Sequence, residues 1–227
     1  MQRLITPTAL TPLLAALVIG LLAACAPVAA PTAAPTVDST AAEAAAEAAA
    51  ESPQATTAVA GTTPLDPADA VAPAQLAIPA LALELPVVPM DWTIATVEGE
   101  RVTRWEIPDN ALGWHINSAP AGATGNTLLS GHQVKGDALL APLARGEFAV
   151  GQELLLTDDA GRAFVYRITR ISAPIPVTGA DDAQTAEAAD YIAPTDTAVL
   201  TLLTGWPDFT TTHRIFAQAE FVGQVAE

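Results

Sequence analysis

The chain has 227 residues, 51% of them apolar, a formal net charge of −16 and only nine Lys and Arg. Such a surface repels phosphate backbones, so nucleic acid is excluded as the expected partner. The single cysteine, Cys25, leaves no internal disulfide and no cysteine cluster for a metal.

The first element in chain order is a leader. Arg3 gives it a short positive start, and residues 13–24 form an apolar core of signal-peptide length. That core is shorter than the roughly 20 residues of a comfortable membrane span. Its ending, Leu22-Ala23-Ala24-Cys25, resembles the lipobox of bacterial lipoproteins. The resemblance implies a leader over residues 1–25, lipid attachment at Cys25 and an extracytoplasmic, membrane-anchored protein. The alternative is an uncleaved or conventionally cleaved signal, and either way the rest of the chain is exported. Residues 26–73 are built of Ala, Pro, Thr, Glu and Ser and include "STAAEAAAEAAAES". No stripe of large apolar residues is available there to offset ordering entropy, so the segment reads as a disordered tether. A flexible chain of that length has an end-to-end distance of about 40 Å.

A globular domain is expected over residues 74–227, where short Val-, Ile-, Leu- and aromatic-rich runs alternate with turn signals. "LAIPALALELPVV" carries Pro79 and Pro86, which suits edge or bulged strands. "NTLLSGH" reads as a short strand, "DALLAPLARGEF" as a brief helical turn, and "DDAQTAEAADYI" as a polar loop with helical potential. "QELLLTDDAGRAFVYRITRI" is the clearest hairpin, turning over Asp158-Asp159-Ala160-Gly161. "VLTLLTGWPDFTTTHRIFAQAEFV" gives the last two strands, interrupted after Gly205. The fold class is mostly β, a barrel or a sandwich with short helices and loops.

The histidines are His115, His132 and His213; none has the i, i+4 pairing that preorganises metal ligands on a helix, and no metal or other cofactor is expected. The acidic pairs Asp158/Asp159 and Asp181/Asp182 fall in turns and loops, where local hydrogen bonding accounts for them; calcium at the second pair is the alternative. More informative is an ordered set: His132 closing "GNTLLSGH", Gly205 closing "TLLTG", and Arg214 within "THR".

With "IPALALELPVVPMDW", "GWHINSAPAGATGNTLLSGH", "AVLTLLTGWP" and "THRIFAQA", the chain resembles the sortase family over residues 76–222. The resemblance implies an eight-stranded β-barrel and a cysteine transpeptidase that cuts sorting signals on secreted proteins. It assigns the family histidine to His132 and the family arginine to Arg214. The family cysteine, which ends "TLxTC", falls on Gly205. Such cleavage needs a thiolate to attack, a histidine to protonate the leaving amine and an arginine for the oxyanion or the substrate carbonyl. Glycine has no atom to attack with. Thr204 is expected to face away from the site, and Ser130, two residues before His132, shares its face but sits awkwardly close to it as a nucleophile. Each residue also has a bland reading: His132 as a strand-end hydrogen bonder, Arg214 as a surface ion-pair partner, Gly205 as a turn or bulge glycine before Trp206-Pro207.

The expectation is therefore an inactive sortase-like domain that binds or scaffolds an extended peptide, such as the sorting signal of a secreted protein. Alternatives are a working sortase-like enzyme and a structural envelope lipoprotein. His132 and Arg214 are expected to converge on an empty spot above the Cα of Gly205. The 172–192 loop is expected to form one groove wall, with an acidic tone that suits basic or neutral ligands.

Overall fold

The computed structural model describes residues 57–97 and 99–226. The expected leader with Cys25 and residues 26–56 of the expected tether lie outside the described residues. The remaining stretch of that expected tether, residues 57–73, is part of the fold. There β1 (Val59–Gly61) pairs antiparallel with the end of the last strand, Val59 opposite Val225. Leu65 packs on the core and donates its N–H to the Gly122 carbonyl at 2.9 Å. Three residues of strand and one half-buried leucine leave no periodicity in the sequence, which is why the boundary falls late when read from composition.

The barrel is built of β2 (Pro73–Ile78), β3 (Leu83–Met90), β6 (Leu112–His115), β7 (Gly125–Ser130), β8 (Glu153–Asp158), β9 (Ala163–Ile171), β11 (Ala198–Trp206) and β12 (His213–Val225). In space the order is β12-β11-β7-β6-β3-β2-β8-β9, and β9 closes the ring by pairing with β12 at Phe221–Tyr166 and Gly223–Val165. The expected eight-stranded barrel is thus the observed fold. Side chains alternate between the two faces of a strand, and the inward set fills the barrel: Leu76 and Ile78, Leu154 and Leu156, Phe164 and Tyr166, Leu200 and Leu202, Ile215 and Ala217 are all in one core. Tyr166 keeps its hydroxyl satisfied by accepting from the Gly122 N–H at 3.0 Å, and burial pushes its pKa up to about 12.

The hairpin expected over 152–171 is β8–β9, with Gly161 at φ +83° in the turn. Asp158 organises that turn, accepting from Ala160 N, Arg162 N and Arg162 Nε. Of the two prolines expected in edge or bulged strands, Pro79 opens a 3-10 turn between β2 and β3, and Pro86 lies in β3, which is neither an edge nor shifted in register there, since it runs between β2 and β6. Pro86 is tolerated because it stands where the β2 register ends and the β6 register begins at Val87.

Two pairings are parallel, β3 with β6 and β7 with β11. Parallel neighbours require crossover connections, and these carry what surrounds the site. Between β3 and β6 runs a separate hairpin, β4 (Trp92–Val97) with β5 (Glu100–Trp105), which the sequence analysis does not anticipate. Between β7 and β11 come α1 (Ala141–Ala144), the β8–β9 hairpin, the short β10 (Ile175–Pro176) and α2 (Asp182–Ile192). The 181–192 segment is a regular helix rather than a loop. Asp181 accepts from Gln184 N at 2.8 Å while the Gln184 side chain accepts from Asp181 N, a reciprocal cap that gives the acidic pair a structural task.

Candidate functional site

Thr201, Leu203 and Gly205 lie on the outer face of β11, opposite to Leu200 and Leu202 in the core. Arg214 of β12 is directly across from Gly205, so the two share that outer face. The parallel register pairs Leu203 with Ser130, which brings the chain after Ser130, with His132, alongside Gly205. Thr204 points the other way, buried, and donates its hydroxyl to the Gly131 carbonyl at 2.8 Å. As the alternation predicts, it is unavailable as a nucleophile.

Gly205 is in regular pairing and is not among the positive-φ glycines. Neither a bulge nor a left-handed turn explains it. The explanation is a residue the sequence reading passed over. Gln133 lays its carboxamide on the Gly205 Cα, and a Cβ there would come within 2.8 Å of both Gln133 Cδ and Oε1. The amide nitrogen donates to Thr210 O at 2.9 Å and Thr211 Oγ1 at 2.7 Å, tying down the β11–β12 loop. With 4% exposure, Gln133 is effectively interior. The spot expected to be empty is filled.

His132 is turned elsewhere. Its Nε2 bonds the Ile107 carbonyl at 3.2 Å and lies 3.7 Å from Asp109 Oδ1, an oxygen that also takes Lys135 Nζ at 2.9 Å. The Lys135 hydrogen bond and charge hold the Asp109 carboxyl below its usual range. His132 lines a small cavity beside β4 with Thr93, Ala95 and Lys135. Arg214 lines a different and larger one, and Arg104, Trp105 and Ile107 are common to both. So the three sequence-predicted residues are neighbours in register, but the histidine and arginine side chains open on separate cavities.

The larger cavity is a groove of about 740 Å³. Its floor is the outer face of the barrel, with Leu128, Leu203 and Phe216; one wall is β5 with Trp105, and the other is α2 with Ala188, Ala189 and Ile192. The helix is the wall expected of the 172–192 segment, but it turns small apolar residues inward while Arg170 pairs with Asp190. That wall is fixed firmly. Tyr191 stacks on Phe216 with ring centroids 5.0 Å apart, and Arg170 lies 4.1 Å over the Tyr191 ring. Beneath, Asn126 Nδ2 donates to Tyr191 O and Ala193 O, and Thr201 bridges Asn126 and Gln218.

His115, at the end of β6, lines the groove and bonds Ser130 Oγ through Nε2 at 2.7 Å, with the Trp105 ring 4.3 Å away. Burial lowers its pKa to about 4, so the imidazole is neutral at neutral pH. Ser130 therefore partners His115 rather than His132, and at 1% exposure it lies under the groove surface, out of reach of a substrate carbonyl. The third histidine, His213, pairs through Nδ1 with Thr212 Oγ1 and sets its ring edge-on to Trp206. The three histidines thus have separate partners, and no group of three metal-ligating side chains occurs among the described residues.

The family model of the sortase domain matches residues 76–222. Among solved structures, the chain is similar to sortase C1 of Streptococcus suis, at 18% identity over 69% of this chain and 75% of that one, with a TM-score of 0.50. It is also similar to sortase C1 of GBS pilus island 1, at 15% identity over 67% of this chain with a TM-score of 0.49, and it spans 65% of that protein. Sortase E1 of Streptomyces coelicolor, solved with a tripeptide in its active site, matches at 17% identity over 68% of this chain and 90% of that one, TM-score 0.46. No curated protein matches. The closed barrel and a family match running through all eight of its strands but for the ends of two lead to one assignment: the chain belongs to the sortase family.

Proposed function

We propose that this chain is an exported envelope protein, held to the membrane by lipid on Cys25, whose sortase barrel binds an extended peptide without cutting it. The observation that carries the reading is the pair at the nucleophile position. Gly205 offers no attacking atom, and the Gln133 carboxamide occupies the space a thiol side chain would need. The hydrogen bond from His132 to Ile107 supports it further, because a proton shuttle aimed at a backbone carbonyl has no leaving group to serve. What persists is a groove with an apolar floor and one apolar helical wall, the kind of surface that takes side chains from an extended chain. Anchoring rests on Leu22-Ala23-Ala24-Cys25 and is tested separately by the mass of the mature N-terminus.

The test of function is to incubate the purified chain with fluorescent extended peptides and follow both binding and cleavage. Saturable binding with intact peptide and no covalent adduct is the expected result. A trapped acyl-protein, or turnover of the peptide, overturns the reading.

A further inference from the structure

The charge of the groove is unlike that of the chain. Of the nine Lys and Arg, Arg3 lies outside the described residues, and five of the others are ion-paired: Lys135, Arg145, Arg162, Arg167 and Arg170. Arg101, Arg104 and Arg214 have no carboxylate partner among the described residues, and two of the three line the same groove. No Asp or Glu lines it, in a chain with 25 of them. The acidic tone expected from the 172–192 segment therefore does not reach the ligand surface. His115 is neutral at neutral pH, so the two guanidinium groups set the sign of the site.

The groove is also blind along β11. Its lining reaches Leu203 and Arg214, while the next position, Gly205, is covered by Gln133, which is itself fastened to Thr210 and Thr211. A chain lying along the floor meets a filled end beside an uncompensated cation. Arg214 also lines a smaller, mostly apolar cavity of about 320 Å³ with Ile175, Val177 and Ala188, which has room for an apolar side chain.

We infer that the groove captures an apolar extended peptide by its free C-terminal carboxylate, which pairs with Arg214 and is supported by Arg104, while the last side chain enters the smaller cavity. This rests on the peptide-binding reading above and adds the end of the chain as the recognised feature. A guanidinium presents two parallel N–H groups to a carboxylate, a match that a neutral amide terminus lacks. Because both arginines are exposed, the preference weakens as salt is raised.

The experiment uses the full-length chain in detergent and N-terminally fluorescent hexapeptides of Ala, Leu, Val and Pro. Four forms are compared by anisotropy: free acid, C-terminal amide, amide with an internal Glu, and free acid extended by two glycines. The free acid is expected to bind about tenfold more tightly than the amide at low ionic strength. Arg214→Gln should erase that difference, Arg104→Gln should reduce it, and Arg101→Gln, outside the groove, should leave it intact. Equal binding of acid and amide overturns the inference while leaving peptide binding standing. So does binding of the internal-Glu amide or the glycine-extended form as tight as that of the free acid. If no form binds, the peptide-binding reading falls with it. Unchanged thermal melts of the arginine variants separate lost recognition from lost fold.

Discussion

The two cavities on either side of the Arg104–Ile107 segment differ in how their charges are placed. On the His132 side Lys135 and His132 both face Asp109, His132 is also engaged with a carbonyl, and Glu106 lines the cavity beside the shared Arg104. On the Arg214 side the cations have no carboxylate beside them, and most of the remaining lining is apolar. His132 is held in a hydrogen-bonded and ionic network, whereas Arg214 faces open space. The two side chains open on different cavities, so each can be altered without the other.

Breaking the groove floor should have the largest effect. Phe216→Ala removes a buried ring and its stack on Tyr191, and should cost about 3–5 kcal/mol in denaturant unfolding along with ligand binding. Next comes the filled position. Gly205→Cys alone drives its Cβ into the Gln133 carboxamide and should lose about 1–3 kcal/mol. Adding Gln133→Ala should relieve the collision and yield a thiol that reacts with a maleimide. If the single variant is as stable as the parent and equally reactive, Gln133 is not what excludes a side chain there.

Acid sharpens the contrast from the groove side. The His115 imidazole of the unfolded chain takes its proton near the ordinary 6.5, while the folded one resists until about 4. Between these values the unfolded state binds more protons, so the stability present above about pH 6.5 is lost as pH falls towards 4. The loss should be about 2 kcal/mol, and His115→Gln should flatten it. The smallest effect belongs to the His132 side. Lys135→Ala should let the Asp109 carboxyl titrate nearer its usual range by NMR, with no measurable change in melting, because the pair is exposed.

Much of the barrel could be read from the chain. β8, β9, β11 and β12 are apolar runs bounded by turn signals, and a Gly-containing turn joins the first two. The family motifs supplied the closure that alternation alone leaves open between barrel and sandwich. β1 was invisible because its hold on the fold comes through backbone hydrogen bonds to β12, which carry no side-chain pattern. The β4–β5 hairpin was missed because its described residues are mostly exposed on both faces, leaving little buried-face signal to count. At the site, strand parity correctly sent Thr204 inward, and register placed Gly205 against Arg214. Sequence order could not reveal the direction of His132, nor that Gln133 would fold back over a glycine 72 positions away, since both depend on loop geometry. The one available signal was adjacency: a polar residue with a long side chain immediately follows the family histidine.

The fastening of Gln133 also bears on how this protein can change. At position 205 a lone codon substitution is opposed by a neighbour holding two loop partners, so a side chain there is accommodated best by a concerted exchange at two loci. The pair acts as a steric ratchet that favours keeping glycine. Drift at residue 133 is what would release it.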